Sequence, residues 1–260
     1  MMLILAVVVT LFSLWNSVYL PGLKQQAEVE HLSQVEEGFL RIDADIKNMI
    51  SLQSGGTMIE NIPLGGGDFF LHSTRSGGSI RIARDSIPLL IVRNSSITLE
   101  SHLARFNYSP LSNFWIDQGY TWQEGYVNVT KGGRSSPLRY DTMDTVIHEG
   151  YGGMTSNIFM KGPGKDITLV NFLVGDSNMM SGNGISQFNV RGNTTRITLE
   201  PDTWIVANVS TAFGASLNET ISTTLLPFNP DMKPEGPERF NYTLKESITI
   251  IWYNLTYSVV

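Results

Sequence analysis

The chain has 260 residues, a net charge of -6 and no cysteine, which excludes disulfide scaffolds, thiolate zinc sites and thiol catalysis. There is no basic stripe, so nucleic acid is not an expected partner. Charged residues make up only 16%, below the roughly 25% of ordinary globular domains; Gly, Ser, Thr and Asn fill the gap, pointing to strands and turns rather than a helical enzyme.

The first charged side chain is Lys24, so the opening "MMLILAVVVTLFSLWNSVYLPGL" is uncharged throughout. A run of this length, about 20 residues, can cross a hydrocarbon core as a helix. No basic stretch precedes it and "NSVYLPGLKQQ" is a poor cleavage context, so an intact secretory signal is not expected. Pro21 followed by Gly22 is expected to loosen or kink the helix, because proline removes a backbone donor and clashes one turn back.

The helical pattern continues past the proline. After Ala27, the apolar positions Val29, Leu32, Val35, Phe39, Ile42, Ile46 and Met49 recur at three- and four-residue steps, while Glu28, Glu30, Glu36, Glu37, Asp43 and Asp45 supply a polar face. "SGG" at Ser54–Gly56 suits a helix end and linker. Residues 1–53 therefore read as one helix, on the order of 80 Å long at 1.5 Å per residue. Its amphipathic half either packs on the globular domain, forms a small coiled coil, or belongs to a rod built to pack against its own copies.

Residues 54–260 change to short β-type runs separated by turns, among them "DFFLH", "SIRIA", "PLLIV", "SITLE", "YVNVT", "ITLVNFLV", "ISQFNV", "TRITLE", "TWIVANVS" and "SITIIWYNLTYSVV". Glycine pairs such as Gly132–Gly133 and the "KGPGK" of 161–165 fit the connections, the latter as a hairpin turn or, less readily, a boundary between two β subdomains. "SLNETISTTLLPFNP" has room for one short helix. The fold class expected is α+β: a long N-terminal helix followed by a mostly antiparallel, sandwich-like domain.

Asn-X-Ser/Thr sequons open at Asn94, Asn107, Asn128, Asn193, Asn208, Asn218, Asn241 and Asn254. Composition alone would give roughly three, so these eight are candidate N-glycosylation sites, and N-linked glycans would place the β region outside the cell. The competing reading is that Asn- and Thr-rich strands generate sequons freely; Asn107, whose sequon runs into Pro110, is the weakest.

Chemistry is sparse. His31, His72, His102 and His148 are far apart and unpaired in motif. Asp141, Asp144, His148 and Glu149 could begin a metal site if Asp144 and His148 shared a helix face, but the β-branched residues around them favour a strand that would scatter the ligands. "GGGD" at Gly65–Asp68 lacks the Lys-Ser/Thr of a phosphate loop. The aromatic run Phe106, Tyr108, Phe114, Trp115, Tyr120, Trp122, Tyr126 reads as core or subunit packing before carbohydrate stacking. No catalytic residue, metal site or cofactor is expected, and the chain is read as a non-enzyme.

The stretch "LILAVVVTLFSLWNSVYLPGLKQQAEVEHLSQVEEGFLRIDADI" resembles the archaeal type IV pilin-like proteins, with their apolar helix, a proline near its end and an acidic amphipathic continuation. The likeness extends more weakly into "FNYSP…YTWQEGYVNVTKGG" and the terminal "ITIIWYNLTYSVV". Precursors in that family carry a short basic leader cut by a prepilin peptidase just ahead of the apolar stretch; this sequence does not contain one. The resemblance implies a subunit held in the cytoplasmic membrane before assembly. An assembly ATPase and membrane platform would then move it into an extracellular homopolymer, a helical filament at the cell surface, for adhesion. Filament-core packing would fall on Leu3, Leu5, Val7, Val8, Leu11, Phe12, Leu14, Trp15, Val18, Leu20, Leu32, Val35, Phe39 and Ile42, with the kink at Pro21 and Gly22. The alternative is a monomeric, signal-anchored surface protein whose β domain binds an envelope or extracellular partner. The amphipathic half favours the polymer, since a monomer needs apolar residues there only for one domain contact.

Overall fold

The computed structural model describes residues 2–65, 76–112, 116–123, 125–139, 145–146, 149, 152–162, 164–208, 212–228, 230–234 and 239–260. One helix, α1, runs without a break from Met2 to Leu52, 51 residues in all. The loosening expected at Pro21 takes the form of a π turn over Trp15–Tyr19, in which the Leu20 N–H donates five residues back to the Trp15 carbonyl. Widening the turn here accommodates a residue that has no N–H to give and whose ring crowds the preceding turn.

The helix ends at Leu52, and the left-handed capping position is taken by Gln53 (φ 46°) rather than by a glycine of "SGG". The Gln53 and Ser54 N–H groups close onto the Ile50 and Met49 carbonyls, both at 3.2 Å. Two longer-range bonds offset the unfavourable backbone. Gln53 Nε2 donates to Thr168 Oγ1 at 3.0 Å, and the Tyr253 hydroxyl donates to the Ser54 carbonyl at 2.8 Å. Gly192 lies directly under this exit, where a Cβ would run into both the Tyr253 hydroxyl and the Ser54 carbonyl.

The described strands form three sheets. The first joins β1 (Gly56–Pro63), β12 (Ile185–Leu199), β16 (Ile248–Val259), β10 (Asp166–Val174) and β9 (Phe159–Lys161) in that spatial order. Its β16–β10 pair is parallel and the others antiparallel. β10 is buried on both faces over most of its length and reads as a near-continuous apolar run, while β16 is so only over residues 250–253 and alternates beyond them. β9 ends at Lys161 and β10 opens at Asp166 in this one sheet, with the Gly162 N–H on the Asp166 carbonyl.

The second sheet is an antiparallel series of β11 (Met179–Gly182), β2 (Gly77–Arg84), β5 (Ala104–Ser112), β6 (Gln118–Gln123), β7 (Tyr126–Lys131) and β8 (Arg134–Pro137). The β7–β8 hairpin turns on Gly132 and Gly133, both at positive φ, as a two-residue primed turn demands. The third sheet orders β14 (Asp231–Pro234), β15 (Arg239–Leu244), β13 (Thr203–Asn208), β3 (Leu90–Arg93) and β4 (Thr98–Ser101). Two further helices, α2 (Gly152–Ile158) and α3 (Ala212–Leu225), pack together through Thr220 Oγ1 on Thr155 Oγ1.

The first two sheets face each other across an aromatic core. Phe106 meets Phe188 and Tyr257 with ring centroids 4.8 and 4.7 Å apart, and Trp122 meets Phe172 at 6.4 Å. One continuous apolar cluster links α1 to all three sheets.

Candidate functional surfaces

The two halves of α1 have opposite surroundings. From Met2 to Tyr19, thirteen large apolar side chains are between 47% and 89% exposed, and no residue of Met2–Leu14 is buried. At roughly 1.5–3 kcal/mol each, covering these thirteen is worth about 20–40 kcal/mol relative to water. This end of the helix is long and apolar enough to cross a membrane. Its polar side chains suit such a setting because they bond to the helix itself. Thr10 donates to the Ala6 carbonyl, Asn16 Nδ2 to the Phe12 carbonyl at 3.1 Å, and Ser17 to the Ser13 carbonyl at 2.7 Å.

The amphipathic half is built into the chain's own β domain. Leu32, Val35, Phe39, Ile42, Ile46 and Ile50 are each at most 5% exposed. Phe39 packs on Tyr120 (centroids 6.1 Å apart), and the His31 ring nitrogen shares a 2.9 Å hydrogen bond with the Tyr108 hydroxyl. The Tyr120 hydroxyl reaches Glu36 Oε2 at 3.0 Å and the Leu32 carbonyl at 3.2 Å. Asp43, fully buried, accepts from Trp122 Nε1 at 2.9 Å and from Lys47 Nζ at 2.8 Å. Lys47 also donates to the Gly125 carbonyl. Burial raises both phenols. Tyr108 is pushed up to about 12, with the Glu28 charge adding, and Tyr120 is pushed higher still with help from Glu36. Burial also holds His31 below its ordinary value, keeping it neutral against Tyr108.

This arrangement corrects part of the expected packing set. Leu3, Leu5, Val7, Val8, Leu11, Phe12, Leu14, Trp15 and Val18 are free to meet lipid or other chains, whereas Leu20, Leu32, Val35, Phe39 and Ile42 are already buried within one chain and are not available to copies. A period-3.6 stripe records that a face is covered, and here the chain's own β domain covers it.

The aromatic run is likewise core: Phe106, Tyr108, Tyr120, Trp122 and Tyr126 are buried, while Phe114 and Trp115 lie outside the described residues. Asp141, Asp144 and His148 of the weighed metal cluster, His72, and residues 66–68 of "GGGD" also lie outside them. Among the described residues no group of three metal-ligating side chains converges. His102 is structural, buried with its Nδ1 on the Asp85 carbonyl at 2.9 Å.

The eight sequon asparagines do not share one environment. Asn193 is exposed, and Asn94, Asn107, Asn128, Asn218, Asn241 and Asn254 are half-buried. Asn208 is buried at 9% exposure, so a glycan there would have to displace its packing. Asn193, Asn254 and Asn171 lie side by side across β12, β16 and β10, and Asn171 Nδ2 donates to Asn254 Oδ1 at 3.0 Å. Asn218 accepts from the Tyr242 hydroxyl at 2.7 Å. These two amides have a packing role whether or not they carry a sugar. No protein-family model, curated protein or solved structure matches the chain.

Proposed function

We propose that this chain is a structural subunit of an extracellular, pilus-like helical filament. The subunit is held in the membrane by residues up to about 20 before assembly and joined to its copies by the same residues afterwards, with the β domain as the outer sheath. The observation that carries this reading is the continuity of the two halves of α1 as one helix. A membrane tether needs no fixed geometry relative to its domain, and a flexible linker would serve. Here the exposed apolar half continues as unbroken helix into a half pinned to the second sheet through Asp43, Tyr120 and His31. A continuous helix would set the domain's direction relative to a shared helix bundle, as a head-to-tail contact repeated along a non-closing helix requires. Transfer from lipid to a bundle of like helices keeps the apolar stripe out of water throughout, so the step can be nearly neutral and driven by separate assembly machinery. In this reading the chain has no catalytic role, and its β domain carries N-linked glycans and adhesive contacts.

A second reading is a monomeric, membrane-anchored surface protein whose β domain binds an envelope or extracellular partner. It is favoured by the coverage of Leu32, Val35, Phe39 and Ile42 within one chain, which leaves the amphipathic half no unpaired stripe. Shearing cells and imaging the released material by electron microscopy separates the two. Fibres that contain this chain, and that vanish on Leu11→Asp, support the filament. Recovery only as detergent-dependent monomers would sink it.

A further inference from the structure

The third sheet carries a feature that the filament reading does not use. Thr98, Arg93, Trp204, Thr243 and Asp231 stand in register across β4, β3, β13, β15 and β14. At this row Arg93, Asn94, Ser95, Pro201, Asp202 and Trp204 line a cavity of about 460 Å³, within the roughly 300–1,000 Å³ of small-molecule sites. Trp204 remains 40% exposed although the Arg93 guanidinium lies 4.7 Å from its ring centroid.

The polar groups of this cavity have unspent valences. Arg93 Nε is buried with no hydrogen-bond partner. Among the described residues neither Arg93 nor Asp202 makes a close salt bridge, although the two line one cavity and Asp202 acts at longer range on Lys245. Asp202 is held in a left-handed turn (φ 64°) with its N–H on the Leu244 carbonyl at 2.8 Å. Asn94 Oδ1 accepts from the Ser96 and Ile97 N–H groups at 2.9 and 2.8 Å, which leaves Nδ2 as the amide's remaining polar group.

We propose that this cavity holds a saccharide ring. Its ligand must offer an apolar face to Trp204, acceptors to Arg93 and Asn94 Nδ2, and a donor to Asp202. A phosphate or carboxylate would be repelled by Asp202, and an ammonium by Arg93. A pyranose meets every condition, with C–H groups on its faces and hydroxyls that both donate and accept. The sugar has two possible sources. Asn94 opens a sequon at the edge of the cavity, so the ring can be the chain's own Asn94-linked glycan; otherwise it belongs to an external glycan. The site does not depend on whether the chain forms filaments.

The test uses the full-length chain in detergent, made in a host without N-glycosylation. It is titrated with methyl α-mannoside, methyl α-glucoside, methyl β-galactoside and N-acetylglucosamine, with binding read by saturation-transfer NMR. At least one sugar is expected to bind with a Kd on the order of 1–10 mM, as suits so small a ligand. Trp204→Ala and Asp202→Asn should each weaken it by about tenfold or more with an unchanged circular dichroism spectrum; asparagine tolerates the positive φ at 202. Absence of binding by all four sugars, or binding indifferent to both substitutions, overturns the proposal. The source follows from chain isolated from its own cells, compared with Ser96→Ala, which removes the sequon and keeps Asn94. If free sugar binds only to Ser96→Ala, the site is filled by the chain's own glycan. Equal binding to both assigns it to an external one.

Discussion

Residues Met2–Tyr19 and Leu20–Leu52 are one continuous helix, yet they obey different solvents. The first part has no buried residue over Met2–Leu14; the second has one apolar stripe, covered from Leu32 onward with Val29 left exposed. Apart from the π turn over Trp15–Tyr19, secondary structure does not tell them apart, since both run as regular α-helix. They differ in what the side chains ask of their surroundings: an apolar medium for the first, the sheets of the chain's own β domain for the second. In the proposed filament reading the first half makes the contacts between subunits and the second fixes the β domain to them.

The largest effect that would break this division comes from where the chain is cut. A version beginning at Leu20 should be soluble and folded, whereas one beginning at residue 57 should not fold. The longer cut removes Leu32, Val35, Phe39, Ile42, Ile46 and Ile50 from the core. At roughly 1.5–3 kcal/mol each, that loss is comparable to the about 5–15 kcal/mol stability of a typical domain. Circular dichroism and thermal melts of the two fragments decide it, and a cooperative melt from the 57–260 fragment would show that α1 is an accessory to the domain rather than part of its core. On a smaller scale, Phe39→Ala should cost about 3–5 kcal/mol in denaturant unfolding.

The sequence was informative about periods and poor about partners. The spacing of Val35, Phe39, Ile42 and Ile46 marks a helix with one covered face, but the same spacing serves a sheet, a coiled coil or a filament core. Many strands were legible because alternation and turn chemistry are local: "SIRIA" and "YVNVT" fall in β2 and β7, the last three residues of "PLLIV" in β3, and "SLNETISTTL" in α3. "ISQFNV" and "TRITLE" turn out to be one fifteen-residue strand, β12, with Gly192 where the helix exit crosses it. The parallel adjacency of β10 and β16 and the division into three sheets depend on contacts between distant residues, which no local pattern encodes. The cavity at Trp204 was hidden for the same reason: Arg93 and Trp204 are neighbours only through the β3–β13 pairing.

Next in size is the polar pinning of the second half. Asp43→Ala leaves the Trp122 indole N–H without its acceptor and Lys47 without its carboxylate, and should destabilise by about 2–3 kcal/mol. Asp43→Asn, which keeps an acceptor for Trp122, should cost less; equal losses from the two would place the effect on the charge alone. A further, pH-dependent contribution comes from His31. Its folded value lies below the ordinary 6.5 because burial disfavours the cation, so the unfolded chain binds more protons as the solution is acidified. Stability from this group is full above about 6.5 and declines as pH falls below that toward the folded value. A series of thermal melts from pH 8 to 5 should show this decline, and His31→Phe should flatten it.

The smallest expected change in stability is at Val7, and it is the most telling. Val7 is half exposed, in a segment with no buried residue, so Val7→Asp removes no contact that the folded domain makes. The thermal midpoint of the full chain in detergent should match the unsubstituted protein within error. The same substitution puts a carboxylate into the apolar run at a cost of about 2.5–3.5 kcal/mol for central membrane placement, and a bundle of copies would bury that charge once per subunit. Membrane retention should therefore weaken, and fibres, if the filament reading holds, should disappear, both without unfolding the β domain. A lowered midpoint would show that the two halves are energetically coupled. Fibres that persist would instead move the intersubunit contact off the apolar half of α1 and onto the β domain.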